Sequence, residues 1–141
     1  MNPLLKNILA VIVGWIAGSI VNMGLIQLGG KIMPIEGLDP NDMESYAEII
    51  PSLEPKFFLF PFLAHALGTL VGAIVAGLIA ANNKMKFSLF IGFFFLIGGV
   101  VISFMLPGAM WFTIIDLIFA YIPMAWLGGL IALKIVNSKS K

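Results

Sequence analysis

The feature that most constrains this chain is a set of four long apolar stretches separated by short polar segments. They cover approximately residues 4–28, 57–81, 87–106 and 111–136. Each is close to the length of about 20 residues that a helix needs to cross the hydrocarbon core of a bilayer. A soluble domain has about 25% charged residues, whereas this chain has 11%, with 60% hydrophobic residues. Lipid must therefore solvate most of its surface, and we predict an all-α integral membrane protein with residues 1–141 in one domain.

The connections between the stretches predict how the helices are arranged. Residues 107–110 read Pro-Gly-Ala-Met, a turn signal, and residues 82–86 form another short connection. Helices joined by short loops become antiparallel neighbours, so we expect a four-helix up-down bundle. The first stretch is longer than the 7–15 apolar residues of a signal peptide, and we expect it to be a retained helix.

The long connection, residues 29–56, is predicted to contain a short extramembrane helix. Asn41 or Asp42 can cap this helix, and Pro51 follows its end. Met43, Tyr46 and Ile50 form one apolar stripe along it. The helix is therefore expected over the mouth of the bundle or along the membrane surface. The alternative is a partner or cation site built from the acidic side chains of this loop.

The distribution of lysine predicts the orientation of the chain in the membrane. Six lysines fall at the ends and connections of one side: Lys6, Lys84, Lys86, Lys134, Lys139 and Lys141. The other side has two lysines, in a long loop that carries six acidic residues. Lys-rich segments stay in the cytoplasm. Both termini are therefore expected to be cytoplasmic, with the acidic loop outside.

Small residues recur at helical spacing in the first two stretches. Gly14 and Gly18 lie four residues apart in the first, and Gly68 and Gly72 in the second. Such stripes allow two backbones to approach closely, which matters because lipid provides no hydrophobic drive for helix association. Packing within the chain suffices to explain them. Packing between subunits is the alternative, and a homo-oligomer or a larger membrane complex is plausible for so small a bundle.

A few polar residues interrupt the predicted spans and form the candidate site. His65 and Asp116 are the main ionisable ones, and a charged Asp at membrane depth costs at least about 2.5–3.5 kcal/mol on insertion scales. Together with Asn22, they fall at similar depth near the outer side. We predict one hydrogen-bonded cluster of Asp116, His65 and Asn22, with Thr69 nearby. It is either a structural clasp between helices or a proton- or ion-handling site that opens outward.

The composition excludes several other classes of function. The chain has no cysteine, which removes thiolate metal sites, and its one histidine cannot build a typical zinc site. The absence of arginine and a net charge of +1 give no case for nucleic-acid binding. No serine has the sequence context of a catalytic nucleophile. We therefore predict no catalytic residue, no metal and no cofactor.

Two segments carry a resemblance to a known group of proteins. Residues 60–69 read Phe-Pro-Phe-Leu-Ala-His-Ala-Leu-Gly-Thr, and residues 111–123 contain Trp-Phe, Asp-Leu and Ala-Tyr-Ile-Pro in turn. Both resemble small bacterial four-helix inner-membrane proteins to which no activity is assigned. The resemblance implies this fold and an inner-membrane setting, and it transfers no activity. We expect a protein that transports or senses a small solute or ion, or alternatively a non-catalytic accessory or scaffold subunit of a larger membrane complex.

Overall fold

A computed structural model describes residues 1–38 and 42–139, apart from the side chains of Met43 and Lys139. The described residues are helical and contain no strand. Two short 3₁₀ turns, Ile50–Ser52 and Pro55–Phe58, precede the third helix. The helices are α1 (Pro3–Ile32), α2 (Met43–Ile49), α3 (Leu59–Ile79), α4 (Lys84–Met105), α5 (Met110–Phe119) and α6 (Ile122–Lys139).

Four helical segments are long and apolar enough to cross a membrane. They are Pro3–Ile32, Pro55–Ile79, Lys84–Met105 and Met110–Ser138. The all-α prediction and the four apolar spans are thereby confirmed. The first span runs four residues past its predicted end at residue 28. Gly29 and Gly30 continue the helix instead of starting the loop, because Gly29 packs directly on the ring of Phe60, where a Cβ would collide.

The fourth span is broken, which differs from the single helix predicted over 111–136. α5 ends at Phe119 and α6 begins at Ile122, with a turn between them at Ala120 and Tyr121. Pro123 has no N–H, so the carbonyl of Phe119 loses the donor that an uninterrupted helix would supply. Proline therefore weakens the helix at the position where the chain turns.

Pro61 falls inside the second apolar stretch, and a proline in the interior of a helix bends it. The α-helix begins only at Leu59, which makes Pro61 the third residue of its first turn. The first N–H groups of a helix have no intrahelical acceptor, so a proline there removes no hydrogen bond. Pro61 therefore marks the start of α3 and does not kink it.

α3 is the central helix of the bundle. It packs against α1 on one side and against α4 and α6 on the other. A Cβ added at Gly18 would lie 2.6 Å from the carbonyl oxygen of Gly68, and one added at Gly72 would lie 2.8 Å from that of Gly14. These four glycines therefore bring the backbones of α1 and α3 into direct contact. They are used for packing within the chain.

In this chain the small apolar residues are buried and the large apolar side chains face outward, which is the opposite of a soluble protein. The fully buried apolar residues are mostly alanines, whereas Phe104 is 83% exposed and Ile20 is 67% exposed. Rows of exposed aliphatic and aromatic residues cover α1, α4 and α5. Close packing of small residues with large apolar side chains outward is the arrangement of helices that associate in lipid.

The two ends of the bundle differ in charge and in the length of their connections. At one end, α1 begins beside the α3–α4 connection. We call it the lysine end, because it contains Lys6, Lys84, Lys86 and Lys134. Asn7 accepts a hydrogen bond from Ala81 N and donates one to Asn82 Oδ1, over 2.8 and 3.0 Å. The lysine end of α6 joins them, because Leu133 shares a surface depression with residues 82–86. Lys141 lies outside the described residues.

The opposite end of the bundle, which we call the loop end, comprises residues 33–58 and 106–110. The two segments are in contact, because a Cβ on Gly108 would lie 3.7 Å from Ile50 and 3.8 Å from Phe58. Residues 39–41, including the predicted cap Asn41, lie outside the described residues. The long connection thus folds back over the turn between α4 and α5.

Candidate functional site

His65 and Asp116 are in direct contact between α3 and α5. His65 Nδ1 lies 2.9 Å from each of the two carboxylate oxygens of Asp116. The side chain of His65 is 18% exposed and that of Asp116 is 6% exposed. Among the residues that the structure describes, this is the only ion pair that joins two different helices. The two residues singled out by sequence are thus brought together across 51 positions of chain.

Tyr121 is a third member of this cluster, which sequence reasoning missed. Its hydroxyl donates a hydrogen bond of 2.9 Å to Oδ2 of Asp116, and its ring stacks on the His65 ring with centroids 5.7 Å apart. In an uninterrupted helix, positions five residues apart point about 140° away from each other. The turn at Ala120 and Tyr121 removes that restriction. The signal for it was the proline two residues later, Pro123.

A glycine on α4 makes room for the tyrosine. A Cβ added at Gly99 would collide with the hydroxyl and ring of Tyr121. Tyr121 is consequently 2% exposed. Asp116 therefore accepts hydrogen bonds from α3 and from the turn between α5 and α6, and it links these elements.

A cavity of about 460 Å³ lies beside the cluster at the loop end. Ligand pockets of small molecules measure about 300–1,000 Å³. Its floor includes His65 and Asp116, and its walls come from α1, α3, α4 and α5. Most of the wall is apolar, and its aromatic members are Tyr46, Phe57, Phe58, Phe60 and Phe112. The cavity thus combines a large apolar wall with one concentrated polar group.

The hydrogen bonds of the cluster decide which nitrogen of His65 is available to the cavity. The carboxylate accepts at Nδ1, so in the neutral ring the proton resides on Nδ1 and Nε2 carries the lone pair. No described residue bonds Nε2, and His65 lines the cavity. Nε2 can therefore accept a hydrogen bond from a ligand, or donate one when the ring is protonated.

Asn22 and Thr69 are placed differently from the prediction. Asn22 lines the same cavity, but within the described residues no hydrogen bond joins it to His65 or Asp116. Its Cβ packs against Gly68, 3.0 Å from the position of an added Cβ. Thr69 is completely buried outside the cavity, and its hydroxyl has no hydrogen-bond partner among the described residues. The predicted cluster therefore reduces to His65 and Asp116, with Tyr121 in the place expected for Asn22.

The short helix α2 contributes to the wall of the cavity. Asp42 caps it by accepting hydrogen bonds from the backbone N–H groups of Glu44 and Ser45, over 3.1 and 3.3 Å. The hydroxyl of Ser45 donates a further bond of 2.7 Å, and this bond is the main reason why the pKa of Asp42 is lowered from its usual value. Tyr46 and Ile50 line the cavity. The helix predicted over the mouth of the bundle therefore forms part of the cavity wall.

The bundle is closed below the cluster, toward the lysine end. Ser88 is fully buried and donates a hydrogen bond of 2.8 Å to the carbonyl of Ala73. A Cβ at Gly128 would lie 2.8 Å from the Cβ of Ala73, and Ile91 is fully buried beside them. The cavity therefore ends at the cluster.

The residues that the structure describes contain no group of three or more His, Cys, Asp or Glu side chains that could hold a metal ion. At the site itself, His65 and Asp116 can form hydrogen bonds and exchange protons. Comparison of the whole chain with known proteins gave no match: no family model, no curated protein and no solved structure is similar to it.

Proposed function

We propose that this chain crosses a bacterial inner membrane four times and binds a small solute or ion from the outer side, in order to transport or sense it. The observation that carries the proposal is the His65–Asp116 pair at the floor of a cavity of about 460 Å³. Ionisable residues at membrane depth are costly, and they mark solute or proton pathways. A pair that served only as a clasp would not need a cavity beside it.

The charges of the two ends support the orientation. Lys6, Lys84, Lys86 and Lys134 group at one end without an acidic side chain nearby in sequence, and the acidic loop lies at the other. The lysine end is then cytoplasmic, with both termini, and the loop end faces outward. In this orientation α2 covers the mouth of the cavity on the outer surface.

The half of the bundle toward the lysine end is closed to a solute. A solute that enters from the loop end stops at His65, since Gly72, Gly128 and their neighbours leave no path beyond it. Transport therefore requires a second arrangement, and the turn between α5 and α6 is the place where one half of the fourth span can move. Sensing requires only that binding shift α2 or α5.

The second candidate is an accessory or scaffold subunit of a larger membrane complex. Its support from the sequence was the set of glycine stripes together with the acidic loop, both of which would be docking surfaces. Gly14, Gly18, Gly68 and Gly72 are all occupied by contacts between α1 and α3, so they offer nothing to another chain. A homo-oligomer or a complex would have to use other surfaces, and the mass of the protein in mild detergent tests this directly.

Single cysteines provide a test of the outward cavity, because the chain has no cysteine of its own. Ser103 lines the cavity, Ser88 is buried in the closed half, and Ser138 lies near the end of α6. Each is replaced by cysteine and treated with a membrane-impermeant maleimide on intact spheroplasts. We expect Ser103→Cys to react from outside, Ser138→Cys to react only after permeabilisation, and Ser88→Cys to react in neither case.

Two results would contradict the proposal. Labelling of Ser138→Cys from outside would reverse the orientation. A Ser103→Cys protein that resists the reagent, while remaining folded by thermal unfolding, would mean that the cavity has no access from outside. Protection of Ser103→Cys by a solute would in turn identify a ligand.

A further inference from the structure

The cavity wall carries an unbalanced negative charge. Among the described residues that line it, Asp116 is the only acid and none is a lysine. The titratable groups that face the carboxylate are His65 from α3 and Tyr121 at the start of α6, with Tyr46 of α2 further along the wall. α1 and α4 contribute Asn22, Ser103 and apolar residues, which do not titrate. With His65 neutral, the cavity therefore has a charge of −1.

This charge selects the kind of ligand. An anion would meet Asp116 without a compensating cation in a largely apolar space, where an unpaired buried charge is expensive. A cation would compensate it. An ammonium group can also donate a hydrogen bond to the free Nε2 of His65, while Nδ1 remains bonded to the carboxylate.

The walls and the mouth of the cavity favour the same class. Phenylalanine rings attract a cation through their faces, and Phe57, Phe58 and Phe112 are among the lining residues. Acidic residues outnumber lysines in the described part of the long loop and the last turn of α1 beside it, so the local field attracts cations. The acids are Glu36, Asp42, Glu44, Glu48 and Glu54, and the lysines are Lys31 and Lys56.

We propose that the solute is a protonated amine with an apolar body, and that it competes with a proton for the His65–Asp116 pair. This inference rests on the proposed function. When His65 takes up a proton, the pair becomes neutral and Nε2 becomes a donor, so the ammonium loses both its counter-charge and its acceptor. Binding of the amine and protonation of His65 are thus mutually exclusive, and each amine that binds to the protonated site releases one proton.

The test uses three probes that differ only in their polar group: 2-phenylethylammonium, 2-phenylethanol and 3-phenylpropionate. Binding to the purified full-length protein in lipid nanodiscs is measured by calorimetry between about pH 5.5 and 8, a range in which histidine changes charge. We expect the ammonium to bind at least about tenfold more tightly than the alcohol, and the carboxylate not to bind. The affinity for the ammonium should fall as the pH is lowered, by up to about tenfold per pH unit once His65 is protonated.

Two variants and a control assign the effect to the pair. Asp116→Asn should lose at least about tenfold in ammonium affinity, and His65→Gln should bind it with an affinity independent of pH. Gly24→Ala is the control, because Gly24 has open space around it, and it should bind like the unchanged protein. Thermal unfolding of each variant establishes that it is folded, and His65→Gln suffices for the test should Asp116→Asn not fold.

The outcomes separate this inference from the proposed function. The inference that the solute is a protonated amine is overturned if the alcohol or the carboxylate binds more tightly than the ammonium. It is also overturned if the affinity for the ammonium rises as the pH is lowered. In either case the proposal that the cavity binds a solute stands. If none of the probes binds and Ser103→Cys resists external labelling, the proposed function is overturned as well.

Discussion

The two halves of this bundle are built from the same helices, but one half is closely packed and the other encloses a cavity. Toward the lysine end, glycine and alanine bring α1, α3 and α6 into backbone contact, and the interior is filled. Toward the loop end, phenylalanine and isoleucine side chains hold the helices apart around a cavity of about 460 Å³. The closed half supplies a rigid base, and this base allows the open half to hold a buried carboxylate beside empty space.

The polar groups of the two halves differ in the same sense. In the closed half, the hydroxyl of Ser88 bonds a backbone carbonyl that already belongs to a helix. In the open half, Asp116 bonds two side chains from other elements, His65 and Tyr121. The first bond joins two helices, α4 and α3, whereas the second network joins three elements through side chains alone. The candidate site therefore lies where polar side chains join the elements of the fold, whereas close packing of small residues joins the helices in the closed half.

The largest effect is expected from crowding the contact between α1 and α3. Gly18→Leu places a side chain against the carbonyl of Gly68 and the ring of Phe95, and we expect it to destabilise the fold by about 3 kcal/mol, the upper end of the usual cost of overpacking. Gly24→Leu, on the same helix but with open space around it, is the matched control and should be close to neutral. Reversible unfolding by SDS in mixed micelles measures both. Equal stability of the two variants would mean that α1 does not pack on α3 through this face.

A smaller effect is expected from removing the acceptor at the centre of the cluster. Asp116→Leu leaves both Nδ1 of His65 and the hydroxyl of Tyr121 without a partner, which should cost about 1–3 kcal/mol. Asp116→Asn keeps an acceptor for Tyr121, so it should cost less than Asp116→Leu while still impairing solute binding. The same unfolding assay, run beside the binding assay, separates the two roles. An Asp116→Asn protein with full binding would identify the pair as a structural clasp.

A third prediction compares how much two hydrogen bonds stabilise the fold: the Tyr121–Asp116 bond of the open half and the Ser88–Ala73 bond of the closed half. Tyr121→Phe removes the bond to Asp116 and should cost between about 0.6 and 1.7 kcal/mol, the average and the maximum for hydrogen bonds between membrane helices. Ser88→Ala should cost less, because the carbonyl of Ala73 retains its helical bond. SDS unfolding of both variants gives the ranking. The reverse order would show that the network in the open half contributes less to the fold than its geometry indicates.

The smallest effect concerns the cap of α2 and its pH dependence. The pKa of Asp42 is lowered from 3.8, first through the hydroxyl of Ser45, so the cap stabilises α2 at pH values above the unfolded pKa and loses this effect as the pH falls through the folded one. Hydrogen exchange at the amides of Glu44 and Ser45 should therefore show protection down to below about pH 3.8, with the loss of protection shifted upward in Ser45→Ala. A loss of protection at the same pH in Ser45→Ala as in the unchanged protein would contradict the role of the Ser45 hydroxyl in the cap.

The sequence by itself determined the number of spans, the grouping of lysine at one end and the capped helix in the long loop. These features follow from local composition, because apolar length, charge and a capping side chain act on neighbouring residues. It also indicated His65 and Asp116, since ionisable groups in an apolar span need a partner. The glycine spacing identified the surfaces that α1 and α3 use to meet.

Only the tertiary structure decided which partner each polar group meets. Asn22 was expected to bond the pair, but its place beside Gly68 leaves it in the cavity wall, while Tyr121 reaches Asp116 across a break that helical periodicity cannot represent. Thr69 shares the helix of His65, yet it lies buried without a hydrogen-bond partner in the described residues. The reason is that side-chain pairing depends on helix rotation and on breaks, and these result from the packing of distant segments against each other. The cavity has the same origin, because it is the space that phenylalanine-lined helices and the folded-back loop enclose together.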